Sequence, residues 1–197
     1  MVDGNWRENK RYRIMKKNIN LIFLLILSSP FCFSLVGKSN FSKQIIDLGL
    51  VVTDLNQSLK FYKEVIGFEE ISGFKVKGSF PEKVGLTDGA PLDIHVLVLG
   101  KDENATKLKL MQVQSKKKAR KIKQPFIHTV AGFSYITIFV ENVDLVWSNA
   151  GKLGVVAYAE SPQVLPAGLP QEICLLMLKD PDGNFVEIVG PKTKSLR

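Results

Sequence analysis

Residues 45–52, IIDLGLVV, alternate apolar side chains at strand period. After Asp54 the period lengthens. Leu55, Leu59, Phe61, Tyr62, Val65 and Ile66 recur at helical spacing, with Asp54 as N-cap and Gly67 as terminator. Strand period returns over residues 68–76, 92–99 and 107–114, so the first half reads β-α-β-β-β. The order then repeats. Residues 133–140, FSYITIFV, form a strand; Asn142 caps a helix carrying Val143, Leu145, Val146, Trp147 and Leu153; Gly154 ends it. Residues 155–159, 172–179 and 185–189 complete three more strands.

The pattern predicts an α+β fold of two paired β-α-β-β-β units spanning residues 45–191. The repeats are 45–114 and 131–190, joined by a connector, 115–130. Because strand side chains alternate, each sheet has a helix-covered face and an open face. Ile46, Leu48, Leu50 and Val52 fall on the covered face, with Leu108, Leu110, Ile136, Ile138 and Val140. Asp47, Gly49, Val51, Lys109, Met111, Tyr135, Thr137, Phe139, Phe185, Glu187 and Val189 fall on the open faces.

The chain has 197 residues, 45% hydrophobic and 23% charged, which suits one globular domain with its own core. Residues 1–34 differ. Arg11, Arg13, Lys16 and Lys17 precede an apolar run, residues 19–27, then Ser28, Ser29, Pro30 and Cys32-Phe33-Ser34. This order predicts a secretory signal and an exported chain, periplasmic or secreted. The alternative is anchoring by the uncleaved segment, although the run is short for a bilayer. Cleavage leaves Cys174, in the apolar strand EICLLMLK, as a single buried thiol without a disulfide partner. The net charge of +8 comes mainly from this segment and from the connector run KKKARKIK, residues 116–123. That run lacks interleaved aromatics and any zinc or helix-turn-helix context, so a nucleic-acid partner is not expected. It reads as a solvated connector, or as a weak contact for anionic lipid or another polyanion.

Asp180-Pro181-Asp182-Gly183 has tight-turn chemistry and leads into a strand carrying one carboxylate, Glu187. This stretch, KDPDGNFVEIVGP, resembles the closing strand of the vicinal oxygen chelate superfamily, the glyoxalase, bleomycin-resistance and extradiol dioxygenase group. DLGLVVTDLNQSLKFYKEVIGFEE is similar to its opening strand and helix. The resemblance covers residues 45–191. It implies two units curled around a cup, with metal ligands from the first and last strand of each.

The equivalent positions here are Asp47, Lys109, Tyr135 and Glu187. A protonated lysine has no lone pair, and a phenol with a pKa near 10 is a poor ligand. Only Asp47 and Glu187 remain as metal candidates. The expected cup-lining set is Asp47, Lys109, Met111, Tyr135, Phe139, Phe185 and Glu187, with the Lys109 ammonium between the two carboxylates in place of a metal. His95 and His128 lie off the ligand pattern. Two loops, residues 78–91 and 161–170, carry apolar residues suited to a rim. The reading is a protein that binds a small, partly apolar organic ligand with no cofactor. The alternative is a divalent-metal-dependent lyase, isomerase or dioxygenase. Units of this kind pair within one chain or by exchange between two, so a homodimer is the expected assembly if they exchange.

Overall fold

The computed structural model describes residues 40–193 except 102, 103 and 116. The segment read as an export signal lies outside them. The chain separates into residues 1–42 and a compact unit, Lys43–Arg197.

Each repeat begins with a short strand that hands over to a capped helix. β1, Leu48–Val51, ends before Asp54, whose backbone is extended and whose side-chain oxygen accepts the Gln57 N–H at 3.0 Å. That satisfies one of the first-turn amides that have no partner inside the helix. The helix α1, Leu55–Lys60, widens into a π-helical turn, Phe61–Ile66. Gly67 N–H reaches the Tyr62 carbonyl, five residues back, at 3.1 Å. Gly67 stops the helix with a φ of 99°, a left-handed conformation that costs glycine little. The repeat continues with β2, Glu69–Val76, a short helix α2, Phe80–Lys83, then β3, Leu92–Val98, and β4, Lys107–Met111.

The second repeat follows the same plan. β5, Tyr135–Phe139, precedes α3, Val143–Lys152, whose cap Asn142 accepts from the N–H groups of Asp144 and Leu145. β6 is Gln163–Val164, β7 Ile173–Lys179 and β8 Phe185–Pro191. The sheet orders are β1-β4-β3-β2 and β5-β8-β7-β6. In both, the first and last strands are parallel and the other pairs antiparallel. The two β-α-β-β-β units expected from periodicity are therefore present.

Two expectations need correction. Residues 155–159 do not form a strand. Tyr158 N–H bonds the Met177 carbonyl at 2.7 Å, but the chain bends at Ala159, φ 55°, and sheet pairing resumes only at Gln163–Val164. Ile46, assigned to the covered face, is 72% exposed. It precedes the first ladder partner, Leu48 opposite Leu108, so no neighbouring strand covers it.

The helix-covered faces of both sheets share one core. Val52, Phe61, Tyr62, Val65, Leu108 and Leu110 cluster with Ile138, Val143, Val146, Leu176, Leu178 and Ile188. Burying each such side chain stabilises by about 1.5–3 kcal/mol. Cys174 is buried within this core.

The DPDG turn ties the repeats together. Asp180 and Asp182 are both buried. Tyr62 donates its hydroxyl to Asp180 at 2.9 Å. Asp182 accepts from Thr53 N–H at 3.1 Å and Thr53 Oγ1 at 2.5 Å, with Ser58 Oγ at 3.5 Å. Burial pushes the Asp180 carboxyl above its ordinary value, although bonds from Asn184, Tyr62 and the Asp182 amide oppose the shift. Burial, reinforced by Asp180, pushes the Tyr62 phenol well up.

Candidate functional site on the open sheet faces

The open face of the first sheet is built on the parallel pair β1 and β4. Gly49 lies opposite Lys109 and Val51 opposite Met111. With no side chain on Gly49, the Met111 methyl occupies the space beside it; an added Cβ would stand 3.6 Å from that methyl. The Lys109 ammonium sits 2.8 Å from the Asp47 carboxylate. That hydrogen bond holds the Asp47 carboxyl below its ordinary value against the opposing effect of partial burial. Ile94 and Val96, opposite Met111 and Lys109, extend the face as an apolar floor with Leu92.

The open face of the second sheet pairs Tyr135 with Phe185, Thr137 with Glu187 and Phe139 with Val189. Thr137 donates its hydroxyl to Glu187 at 3.0 Å. Tyr135 is 47% exposed and Phe139 78%. The structure thus brings the candidate residues together as two groups. Asp47, Lys109 and Met111 share one face; Tyr135, Phe139, Phe185 and Glu187 share the other. Among the described residues no hydrogen bond or ion pair joins the groups. Lys109 is paired with Asp47 alone, and Glu187 with Thr137.

A divalent ion does not fit this donor set. At the first face the Asp47 carboxylate is engaged by a cation, and at the second the Glu187 carboxylate stands with a threonine and a phenol. Among the described residues, no three His, Cys, Asp or Glu side chains converge as a metal centre needs. His95 points away from the open face. It lies opposite the core residue Leu110, and its Nδ1 is 2.9 Å from Glu70, which also holds Lys63 at 2.8 Å. Those two bonds lower the Glu70 pKa.

Periodicity missed a cleft at one end of the second face. It has a volume of about 480 Å³ and is walled by residues 125–128 of the connector, by Tyr158, Ser161 and Gln163, and by Met177 and Phe185 from the sheet. Its lining is mostly apolar. The Lys179 ammonium lies 4.1 Å from the centre of the Tyr158 ring and 4.5 Å from that of Phe185, and donates to the Gln124 carbonyl at 2.7 Å. Tyr158 donates its hydroxyl to the Pro125 carbonyl. Tyr158 packs edge-on against Phe185, which explains why Phe185, alone among the three open-face aromatics, is buried. His128 is exposed and stacks on Phe126 with ring centres 5.6 Å apart. The sequence clue was Pro125 and two aromatic rings in a segment otherwise read as linker.

The family model for the Glyoxalase/Bleomycin resistance protein/Dioxygenase superfamily matches residues 44–188. The chain belongs to this superfamily. A glyoxalase family protein from Bacillus cereus is similar in structure, with a TM-score of 0.61 at 17% identity, covering 79% of this chain and 99% of its own. The trypanothione-dependent glyoxalase I of Leishmania major matches with a TM-score of 0.53 at 22% identity, over 76% of this chain and 87% of that one. A glyoxalase I mutant from Zea mays matches with a TM-score of 0.55 at 18% identity, over 77% of this chain and 46% of that one. At these identities the likeness is one of fold. No curated protein matches the chain in sequence. Superfamily members often use divalent metals.

Proposed function

We propose that this superfamily member binds a small, partly apolar organic ligand on its open faces without the usual metal. The observation that carries the reading is the Lys109–Asp47 pair at 2.8 Å, an ammonium held at the position that the family resemblance makes equivalent to a metal-ligating acid. A bound cation of this kind supplies one directional contact to a ligand oxygen, while Met111, Tyr135, Phe139 and Phe185 supply apolar surface. The aromatic cleft beside Met177 and Phe185 adds a concave wall of suitable size.

The test is a thermal-shift screen of small aromatic and aliphatic carboxylic acids against native protein, Lys109→Met and Met177→Glu. A compound that raises the Tm of native protein, and loses that effect in either variant, supports the reading. Compounds that act equally on all three proteins overturn it. So does stabilisation of native protein by zinc, nickel or manganese at micromolar concentration. That last outcome favours the second reading, a metal-dependent lyase, isomerase or dioxygenase built on Asp47 and Glu187.

Export belongs to the same proposal. N-terminal sequencing of protein expressed with its own leader should return a chain starting near Leu35. Recovery of residues 19–27 intact in the membrane fraction would replace export with anchoring.

A further inference from the structure

We propose that the connector is a docking surface for an anionic lipid bilayer. Lys117, Lys118, Arg120, Lys121 and Lys123 are all exposed, and none forms an ion pair among the described residues. An unpaired run of this density would ordinarily be a loose, self-repelling linker. Here both ends are fastened. At the start, Lys117 N–H bonds Ser115 Oγ, which in turn donates to Asp88 at 2.9 Å. At the end, Ile122 N–H bonds the Asp182 carbonyl at 2.8 Å, and the carbonyls of Gln124 and Pro125 accept from Lys179 and Tyr158. The backbone is therefore tied down at both ends of the run before any partner arrives, and less ordering entropy is lost on binding than for a free linker.

The second observation is apolar. Directly after the cations comes an exposed tip, closed by a bond from Thr129 N–H to the Phe126 carbonyl at 3.0 Å. Phe126 is 60% exposed, Ile127 44%, Val130 49% and Phe133 fully exposed. Cations beside exposed phenylalanine and aliphatic side chains match the two layers of an anionic membrane surface, charged headgroups over acyl chains. A nucleic acid would use the charges but leave the apolar tip in water, and the basic run carries no aromatic to stack on bases.

The test uses the full chain with Cys32→Ser and Ala131→Cys, the new thiol carrying an environment-sensitive fluorophore. Cys174 is buried. The N-terminal segment is itself basic and apolar, so the connector substitutions, which leave it intact, separate the connector's contribution from its own. Vesicles of phosphatidylcholine with phosphatidylglycerol should shift the emission to the blue at low salt. Pure phosphatidylcholine should not, and molar salt should abolish the shift. Combining Lys117→Gln, Lys118→Gln and Lys121→Gln should weaken the interaction roughly 100-fold, since each cation near the surface contributes about five-fold. An equal shift on neutral vesicles, no shift on anionic ones, or a shift untouched by the three substitutions would overturn the proposal. So would a duplex oligonucleotide that competes the protein off the vesicles at equal charge concentration.

Discussion

Asp182→Ala is the sharpest probe of how the two repeats hold together. The native carboxylate is buried and receives both the amide and the hydroxyl of Thr53, from the other repeat. A hydrogen bond to a charged group contributes about 1.5–3 kcal/mol, so losing two should cost about 3–6 kcal/mol. Ser58 Oγ, fully buried at 3.5 Å from Asp182, loses a neighbour as well. Set against a typical domain stability of about 5–15 kcal/mol, that is a large fraction. Urea unfolding followed by far-UV circular dichroism measures it. With a slope of about 2 kcal/mol/M, the midpoint should fall by about 2 M. Asp182→Asn, which keeps one acceptor oxygen, should lie between. A double-mutant cycle with Thr53→Val should return a coupling of at least about 1 kcal/mol. A midpoint within 0.3 M of native (about 0.6 kcal/mol at that slope) would refute the account of the turn as an inter-repeat tie.

Three further outcomes follow from the same structure. Asp180 is raised above 3.8, so the folded chain holds its proton more tightly than the unfolded chain; its contribution is complete below 3.8 and is lost as pH rises through the folded value. Asp180→Asn should remove that falling component from urea midpoints measured from pH 3.8 upward, and parallel curves would contradict it. Lys109→Met should cost less than about 1 kcal/mol at neutral pH, because both members of the Asp47 pair are about one-third exposed. Asp47 is lowered, so that contribution is present above 3.8 and fades as pH falls through its folded value; a loss that grows in acid would be inconsistent. Sedimentation velocity should find a dimer, since Val51, Phe74, Tyr135 and Phe139 leave apolar surface on both open faces; a monomer at 100 µM (about −5.5 kcal/mol of association free energy) would argue that each face works alone.

The repeat and most of the assignment of faces were legible because they follow local rules. Alternation placed Leu108, Leu110, Ile138 and Ile188 in the core and Lys109, Tyr135 and Glu187 outside it. Asp54, Asn142 and Gly67 marked helix ends through chemistry confined to a few residues. What could not be read is long-range. The DPDG stretch looked like a turn and is one, but its carboxylates act on Thr53, 129 residues away in sequence, and on Tyr62. Residues 155–159 carried strand-like composition, yet the left-handed bend at Ala159 redirected the chain. Lys109 was expected between two acids. The alternation rule fixed which face it joins, and only the packing of the two repeats decides which acid it reaches. The connector was read by composition alone, which sees its charge and not the bonds that fasten it to the turn.

The core assembled from both repeats has a consequence for how such a chain can be divided. A break in the connector between Ser115 and Ile122 would cut no strand and leave every core contact available. The two half-chains would still present matched apolar faces, and the Thr53–Asp182 and Tyr62–Asp180 bonds cross from one to the other without using the connector. Co-expressed fragments should therefore reassemble into a native-like particle. In the intact chain, the connector acts as a tether, raising the effective concentration of one half around the other to the millimolar range typical of short linkers.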